Sequence, residues 1–396
     1  MNRLKNKVSG LVIHFYKFTQ SQRSWYLLLF CWLLFQVWLY NQYGVKLVND
    51  SLQRYIPNAK NFTFTYPFVN KHELRYIGYI FFLYLFLKIG LSFKIIILVQ
   101  TLLSGLAAII LYKITFSISK SKPAAFIGTL LFITWKDLQY LNYFILTESF
   151  FSSFLIFSFY ALLKSKSKVP FLLAVSLLLF TALIRPNGFV VIVGLIFYLL
   201  IHYGPFLNDH KKFIIKISLI IIPLSLYILN SWLLPGFLIV EEYQKGEIIY
   251  GDPNFALKPN QPLWMPTPDM PALSKIALFI LHNPSFFFKL AFTKTLYFLG
   301  YIKPYHSFIH QLNTVIVLYP CYLLSLHALR LKKVLPEAKA FSIAVLAGQT
   351  IIIALAVEDW DNRFIMPFLP YFFILGAIGL NDLLAKLIKS ENKLTA

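Results

Sequence analysis

Apolar residues run along this chain in long stretches, such as Trp25 to Tyr40, Ile95 to Tyr112 and Phe171 to Ile184, broken by short polar clusters. A helix needs roughly 20 apolar residues to cross the hydrocarbon core of a bilayer. Runs of that kind recur from one end of the sequence to the other. The pattern predicts an all-α, polytopic transmembrane protein of about ten spans. They are expected near 24–44, 94–112, 123–136, 148–163, 169–184, 188–203, 213–234, 309–329, 340–357 and 364–385. No separate soluble domain can be carved out, so residues 1–396 read as a single membrane-embedded unit.

Two apolar segments stand outside this count. Ile77 to Leu91 is short, and treating it as a span would invert everything downstream. Inversion would place Lys164, Lys166, Lys168, Lys211, Lys212, Arg330, Lys332 and Lys333 outside, against the tendency of basic loops to stay in the cytoplasm. It therefore reads as an interfacial or re-entrant helix within a first outer loop at 45–93. Leu273 to Phe298 is interrupted by His282-Asn283-Pro284, Lys289 and Lys294. It reads as surface-lying helices inside a large outer loop at 235–308. At the start, Arg3, Lys5, Lys7, Lys17 and Arg23 precede an apolar run with no small-residue cleavage site. Trp25 to Tyr43 is thus a retained first span, with Val8 to Phe18 lying along the membrane surface.

Composition agrees with this picture. The chain is 58% hydrophobic and only 13% charged, whereas a soluble domain is about 25% charged. A net charge of +21 could attract a phosphate-rich partner. Here the bases form short clusters between apolar runs, which points to membrane lipids and away from nucleic acid. Both termini are expected in the cytoplasm. The acids gather on the opposite face, apart from Asp209, Glu337, Asp382 and Glu391. Cys31 and Cys321 both sit inside apolar runs, where packing is their expected role.

Four constellations on the expected outer face carry candidate chemistry. Asn49-Asp50-Ser51-Leu52-Gln53-Arg54-Tyr55 follows the first span, and Asp50 fits either a proton acceptor or a helix cap. Leu146-Thr147-Glu148 opens a very apolar span, with Asp137 at the far end of the same loop. An ionisable group at a membrane entry is a functional candidate, yet Glu148 also suits the first turn of a helix. Arg185-Pro186-Asn187-Gly188 links two spans tightly; Arg185 suits a phosphate clamp or a snorkelling side chain. Glu358-Asp359-Trp360-Asp361-Asn362-Arg363 fits an ion-pair cluster or part of a site. His72 and Glu73 lie just before the first surface helix. No HExxH, CxxC, GxSxG or P-loop pattern occurs. Internal repeats are not evident and the spans are mostly bare of polar residues, both of which count against ion-coupled transport.

In their order along the chain, these pieces resemble the GT-C superfamily of membrane glycosyltransferases, which includes protein O-mannosyltransferases and the aminoarabinose transferases of lipid A. The likeness runs from Asp50 and the surface helices, through Thr147-Glu148 and Arg185 to Gly188, to the large outer loop and Arg363-Phe364-x-x-Pro367. Two features depart from it: Asn49 replaces the first of paired acids, and Lys71-His72-Glu73 replaces a His-Pro-Pro element. The resemblance implies a transferase of the bacterial plasma membrane acting at its outer face. It would move a sugar from a polyprenyl-phosphate donor to a glycan, lipid or protein acceptor. Asp50 would be the base, Glu148 a second acid, and Arg185 and Arg363 phosphate ligands, with Mg²⁺ or Mn²⁺ left open at Asp50 and Glu148. A lipid-linked glycan flippase or transporter and an unrelated lipid-carrier polymerase or ligase are the competing readings.

Overall fold

The computed structural model describes residues 2–64, 73–205, 210, 219, 222–234, 238–357, 359 and 361–392. Its regular elements are all helical. Among the described residues, five helices are long and apolar enough to cross a membrane: Arg23–Tyr43, Phe93–Ser119, Phe308–Arg330, Pro336–Leu355 and Met366–Ile388. Shorter apolar helices accompany them at Lys122–Thr134, Lys168–Ala182, Pro186–His202 and Ile222–Ser231. The protein is therefore a helical membrane protein. Of the expected seventh span, 213–234, residues 213–218, 220 and 221 lie outside the described residues.

We number the helices used below in chain order. They are α1 (Asn2–Gln20), α2 (Arg23–Tyr43), α3 (Ile77–Lys88), α4 (Phe93–Ser119), α5 (Lys122–Thr134), α6 (Thr147–Lys164), α7 (Lys168–Ala182), α8 (Val190–His202), α9 (Ile239–Lys245), α10 (Ala272–His282), α11 (Pro284–Gly300), α12 (Phe308–Arg330), α13 (Pro336–Leu355) and α14 (Leu369–Asn392). The main packing pairs are α12 on α14, α8 on α13, α5 on α14, α6 on α7, and α4 on both α5 and α6.

Lipid tails are as apolar as leucine, so helices in a bilayer associate through close packing and internal hydrogen bonds. The α12–α14 pair uses both. A Cβ on Gly376 would stand 3.0 Å from the Cys321 carbonyl oxygen, and one on Gly379 would stand 2.8 Å from the Leu324 carbonyl carbon. With only hydrogens there, the backbones approach closely enough for Ser325 Oγ to donate to the Phe372 carbonyl at 3.0 Å. Cys321 Sγ donates to the same carbonyl at 3.1 Å, the packing role expected of a cysteine in an apolar run.

Of the two anomalous apolar segments, one is short and the other is broken by a sharp bend. Helix α3 has 12 residues, which at about 1.5 Å each reach about 18 Å, well short of a hydrocarbon core of about 30 Å. Its N-terminus is pinned by a bond from Gly78 N to the Leu183 carbonyl at 2.9 Å, and its Phe82 ring packs on Phe150 at 4.4 Å. Helices α10 and α11 meet at a bend of 105°. Pro284 begins α11 without an N–H to give. Asn283 fixes the corner, donating to the carbonyls of Trp264 at 2.9 Å and Phe279 at 3.0 Å. Helix α1 packs through Phe15 and Phe18 onto Phe126 of α5, and its Tyr16 hydroxyl bonds Asn381 Oδ1 of α14 at 2.7 Å.

The spans are less bare than their hydropathy suggests. Gln36 on α2 and Gln100 and Ser104 on α4 are buried, and each bonds the loop between α5 and α6. Gln36 Nε2 donates to Gln139 Oε1 at 2.9 Å, and Gln100 Nε2 to the carbonyls of Asn142 at 3.1 Å and Phe144 at 2.9 Å. Tyr79 of α3 donates to Gln100 Oε1 at 2.8 Å. Buried loop backbone needs such internal partners, and single polar residues inside apolar runs supply them.

If the glycine contact sets the α12–α14 spacing, Gly379→Val must push backbone against backbone. We expect a loss of about 1–3 kcal/mol, the usual range for overpacking, seen as a lower unfolding midpoint in detergent. An unchanged midpoint would mean that the two helices do not pack as described.

Candidate functional site

The site begins where α2 ends. Gly44, at φ 55°, stops the helix, and the chain then pairs with the α5–α6 loop. Lys46 N donates to the Tyr143 carbonyl at 2.9 Å, and Ile145 N donates back to the Lys46 carbonyl at 3.2 Å. Ser51 Oγ adds a bond to the Ile145 carbonyl at 2.8 Å. These stitches bring Asp50 beside Glu148, although they lie on different loops. Beyond Asp50 the helix widens into a π-type turn, Ser51–Tyr55, a distortion found often at functional positions.

Glu148 occupies the first turn of α6, where the helix dipole favours an acid. It is only 2% exposed, so the dipole alone does not account for it: a buried carboxylate needs charged partners. Two arginines provide them. Arg185 Nη2 lies 3.4 Å from Glu148 Oε1, and Arg363 Nε lies 4.0 Å from the same oxygen.

Arg185 stands at the link between α7 and α8. A Cβ at Gly188 would sit 2.6 Å from the Ala182 carbonyl oxygen, so this turn closes only around glycine. Asn187 Nδ2 donates to Gln349 Oε1 at 2.7 Å, and Gln349 Nε2 donates to the Phe364 carbonyl at 3.2 Å. That relay ties the Arg185 turn to the Arg363 loop. The Arg185 guanidinium lies over the rings of Phe151 at 5.7 Å and Phe364 at 5.6 Å, contacts that fix its plane. At 4% exposure it does not snorkel. Its Nε and Nη1 meet no hydrogen-bond partner among the described residues.

Arg363 is the hub. Its Nη1 donates to Asp50 Oδ2 at 2.9 Å and its Nε to Asp359 Oδ2 at 2.7 Å. Arg54 Nη1 approaches Asp50 Oδ1 at 3.8 Å. Asn362, between these groups, has φ 63°, a conformation asparagine tolerates better than most residues, and its side chain donates to the Tyr301 carbonyl at 2.9 Å. Burial works to raise the Asp359 carboxyl, but Arg363 and donors from Asp361 outweigh it and leave the group below its ordinary value. Asp361 goes the other way. Burial, then the neighbouring Asp359 charge and a hydrogen bond to it, raise its carboxyl well above the ordinary carboxylate range.

These residues surround one cavity of about 430 Å³. Of the sequence candidates, Asp50, Arg54, Tyr55, Glu148, Arg185, Asn187 and Arg363 all line it. Asp359, from the fourth constellation, lines it too, as do residues that pattern did not single out, among them Arg75, Tyr76, and Glu242 and Tyr250 from the long segment before α10. Tyr55 is buried, which raises its hydroxyl well above the ordinary range and keeps it a donor. Asp137 is not at the cavity. It accepts from Tyr301 OH at 2.9 Å and faces His310 Nδ1 at 3.2 Å. His72 lies outside the described residues; Glu73 opens a short 3₁₀ turn before α3, its side chain outside the described set.

A divalent cation does not fit these residues. Among the described residues no group of three or more His, Cys, Asp or Glu side chains is placed to hold a metal ion. Asp50 and Glu148 instead face guanidinium groups, which already balance their charge. The arrangement suits an anion that enters beside Arg185 and a proton acceptor beside it. The chain matches no family model, no curated protein and no solved structure.

Removing one member of a buried ion cluster costs about 3–5 kcal/mol, because the rest are left uncompensated. We therefore expect Arg363→Met to destabilise strongly. The double variant Arg363→Met, Asp359→Asn should lose less than the sum of its single changes, measured as a thermodynamic cycle in detergent. Additive losses would dissolve the cluster.

A second expectation concerns pH. Because Asp361 is raised in the folded state, its contribution is complete in acid and is lost as pH climbs through the raised value. Asp361→Asn keeps the acceptor and cannot ionise, so it should flatten the fall in stability between the ordinary carboxylate value and about pH 8. An unchanged profile would exclude Asp361 as the titrating group.

Proposed function

We propose that this protein is a membrane glycosyltransferase that moves a sugar from a polyprenyl-phosphate-linked donor to an acceptor at the extracytoplasmic face. In this reading the cavity faces outward, both termini lie in the cytoplasm, and about ten segments cross the bilayer. Helices α3, α10 and α11 then rest at the outer surface. The observation that carries the reading is Arg185, which is buried, is oriented by two aromatic rings, carries two N–H groups without a partner among the described residues, and lines a cavity together with Asp50. Two unmet donors on a buried cation are costly unless an anion meets them, and the fork of arginine matches phosphate oxygens.

The chemistry follows from that pairing. The acceptor's hydroxyl oxygen attacks the anomeric carbon from the face opposite the phosphate. The bond from that carbon to the phosphate oxygen breaks, and its electron pair stays on the carrier phosphate. Arg185 stabilises the charge that appears there, a fixed donor aimed where charge develops. Asp50 takes the hydroxyl proton as the new glycosidic bond forms. Glu148 holds Arg185 and Arg363 in register from behind. The polar side chains inside the spans bond one another and the α5–α6 loop, so they support architecture here and not a transport path.

Two measurements test this. With a donor found in a panel of polyprenyl-phosphate sugars, Asp50→Asn should cut turnover by about 10²–10⁴-fold, the usual share of general-base catalysis, with donor binding retained. Arg185→Ala should weaken donor binding instead. Near-native turnover in Asp50→Asn would remove Asp50 as base, and Glu148 would be next to examine.

Orientation is tested separately, in a background lacking Cys31 and Cys321. Asn254→Cys and Ser167→Cys both occupy exposed positions. An impermeant thiol reagent added outside should modify the first and spare the second. The reverse result would put the cavity on the cytoplasmic face.

A further inference from the structure

Glu242 poses a problem that the proposed mechanism does not use. It sits on α9, and its side chain lines the cavity. One oxygen, Oε1, pairs with Lys245 Nζ at 3.1 Å. Lys245 is 55% exposed, and such a surface pair adds little. The other oxygen, Oε2, is buried and meets no hydrogen-bond partner among the described residues. A carboxylate oxygen withdrawn from water without a donor is costly, and the residue that carries it borders a cavity large enough for a ligand.

Its position is held rigidly. Tyr243, the next residue, is fully buried, stacks on Phe287 at 4.5 Å and donates its hydroxyl to the Ala354 carbonyl at 2.5 Å. Lys294 Nζ lies over the Tyr243 ring at 4.1 Å and also bonds the Ala356 carbonyl. Helix α9 is thereby clamped to the end of α13, the stretch leading to Asp359 and Arg363. A few residues on, Tyr250 borders the same cavity while 61% exposed. An aromatic face with one open side offers an apolar platform, and a carboxylate oxygen accepts from hydroxyls. Together they match a polyol whose ring carries C–H groups on one face and O–H groups at its edge.

We infer that this wall, Glu242 with Tyr250, recognises the glycosyl group of the donor: Glu242 Oε2 accepts from its hydroxyls and the Tyr250 ring packs against its C–H face. The inference rests on reading the cavity as a glycosyl-donor site. It assigns the sugar to residues of the long outer segment and leaves the phosphate to Arg185.

The test compares two ligands on the full-length protein in detergent: polyprenyl phosphate without sugar, and the best-bound member of a panel of polyprenyl-phosphate sugars. Glu242→Gln should weaken the glycosylated ligand about tenfold or more, the scale of a hydrogen bond to a charged group, and leave the bare carrier unchanged. Tyr250→Ala should do the same to a smaller extent. Lys245→Met should change neither. Retention of bare-carrier affinity shows that each variant is folded; should Glu242→Gln lose both ligands, the exposed Tyr250 decides the matter. The inference is overturned if both variants bind the glycosylated carrier like the wild type, if Tyr250→Ala lowers both ligands equally, or if Lys245→Met reproduces the Glu242→Gln loss. A wild type that prefers the glycosylated carrier by a margin these variants keep would sink this inference alone. A wild type that binds neither ligand would sink the glycosyltransferase reading with it.

Discussion

Arg363 lies within 4.0 Å of carboxylates from three separate parts of the chain: Asp50 after the first long helix, Glu148 at the head of α6, and Asp359 on its own loop. Three acids cannot be drawn together in a poorly solvated place without a cation among them, since each would repel the others and lose its water. Guanidinium suits this role because it stays charged and offers donors in several directions in one plane. Around it the loops that build the cavity take their places. The Asn187–Gln349–Phe364 relay and the Asn362–Tyr301 bond then hold the Arg363 loop itself.

A second layer of polar contacts supports the first from inside the bundle. Gln36, Gln100 and Ser104 leave the apolar faces of α2 and α4 to bond Gln139, Asn142 and Phe144. Asn142 passes the chain of contacts to Ser149 at 2.5 Å, one residue beyond Glu148. Buried polar networks of this kind fix one geometry when every member is satisfied. The loop carrying Glu148 is therefore not a free surface loop but a packed element, which lets a carboxylate there hold two arginines.

The cavity's charges are unevenly matched, and this bears on its use. Asp50, Asp359 and Glu148 are held by guanidinium groups. Arg185 Nε and Nη1 and Glu242 Oε2 are buried with no partner among the described residues. In the reading proposed above, unmet groups of opposite sign on residues that line one cavity suit a ligand that is anionic at one end and rich in donors at another. A phosphorylated sugar has that character, and its lipid carrier would account for a site built into a membrane protein.

The sequence by itself determined the helical membrane class, the approximate position of most of its apolar helices, and the residue types stationed near their ends. It did so because a bilayer imposes a length and a hydropathy on every span, and because charged residues collect where spans leave the hydrocarbon. Asp50, Glu148, Arg185 and Arg363 were legible for that reason, as charged residues near the ends of apolar helices. Their partnerships were not. Asp50 and Arg363 are 313 positions apart, and no local pattern records a contact of that separation. Asp137, five residues from Asn142 on the same loop, looked equivalent to Glu148, yet the turn of the chain gives it to Tyr301 and His310. Glu242 and Tyr250 lie in an irregular polar stretch with no periodicity to mark them. The clamp of Tyr243 and Lys294 on the end of α13 holds that stretch at the cavity. Spans are written in local composition, whereas the site depends on which span ends meet, and that was decided by packing between helices far apart in the chain.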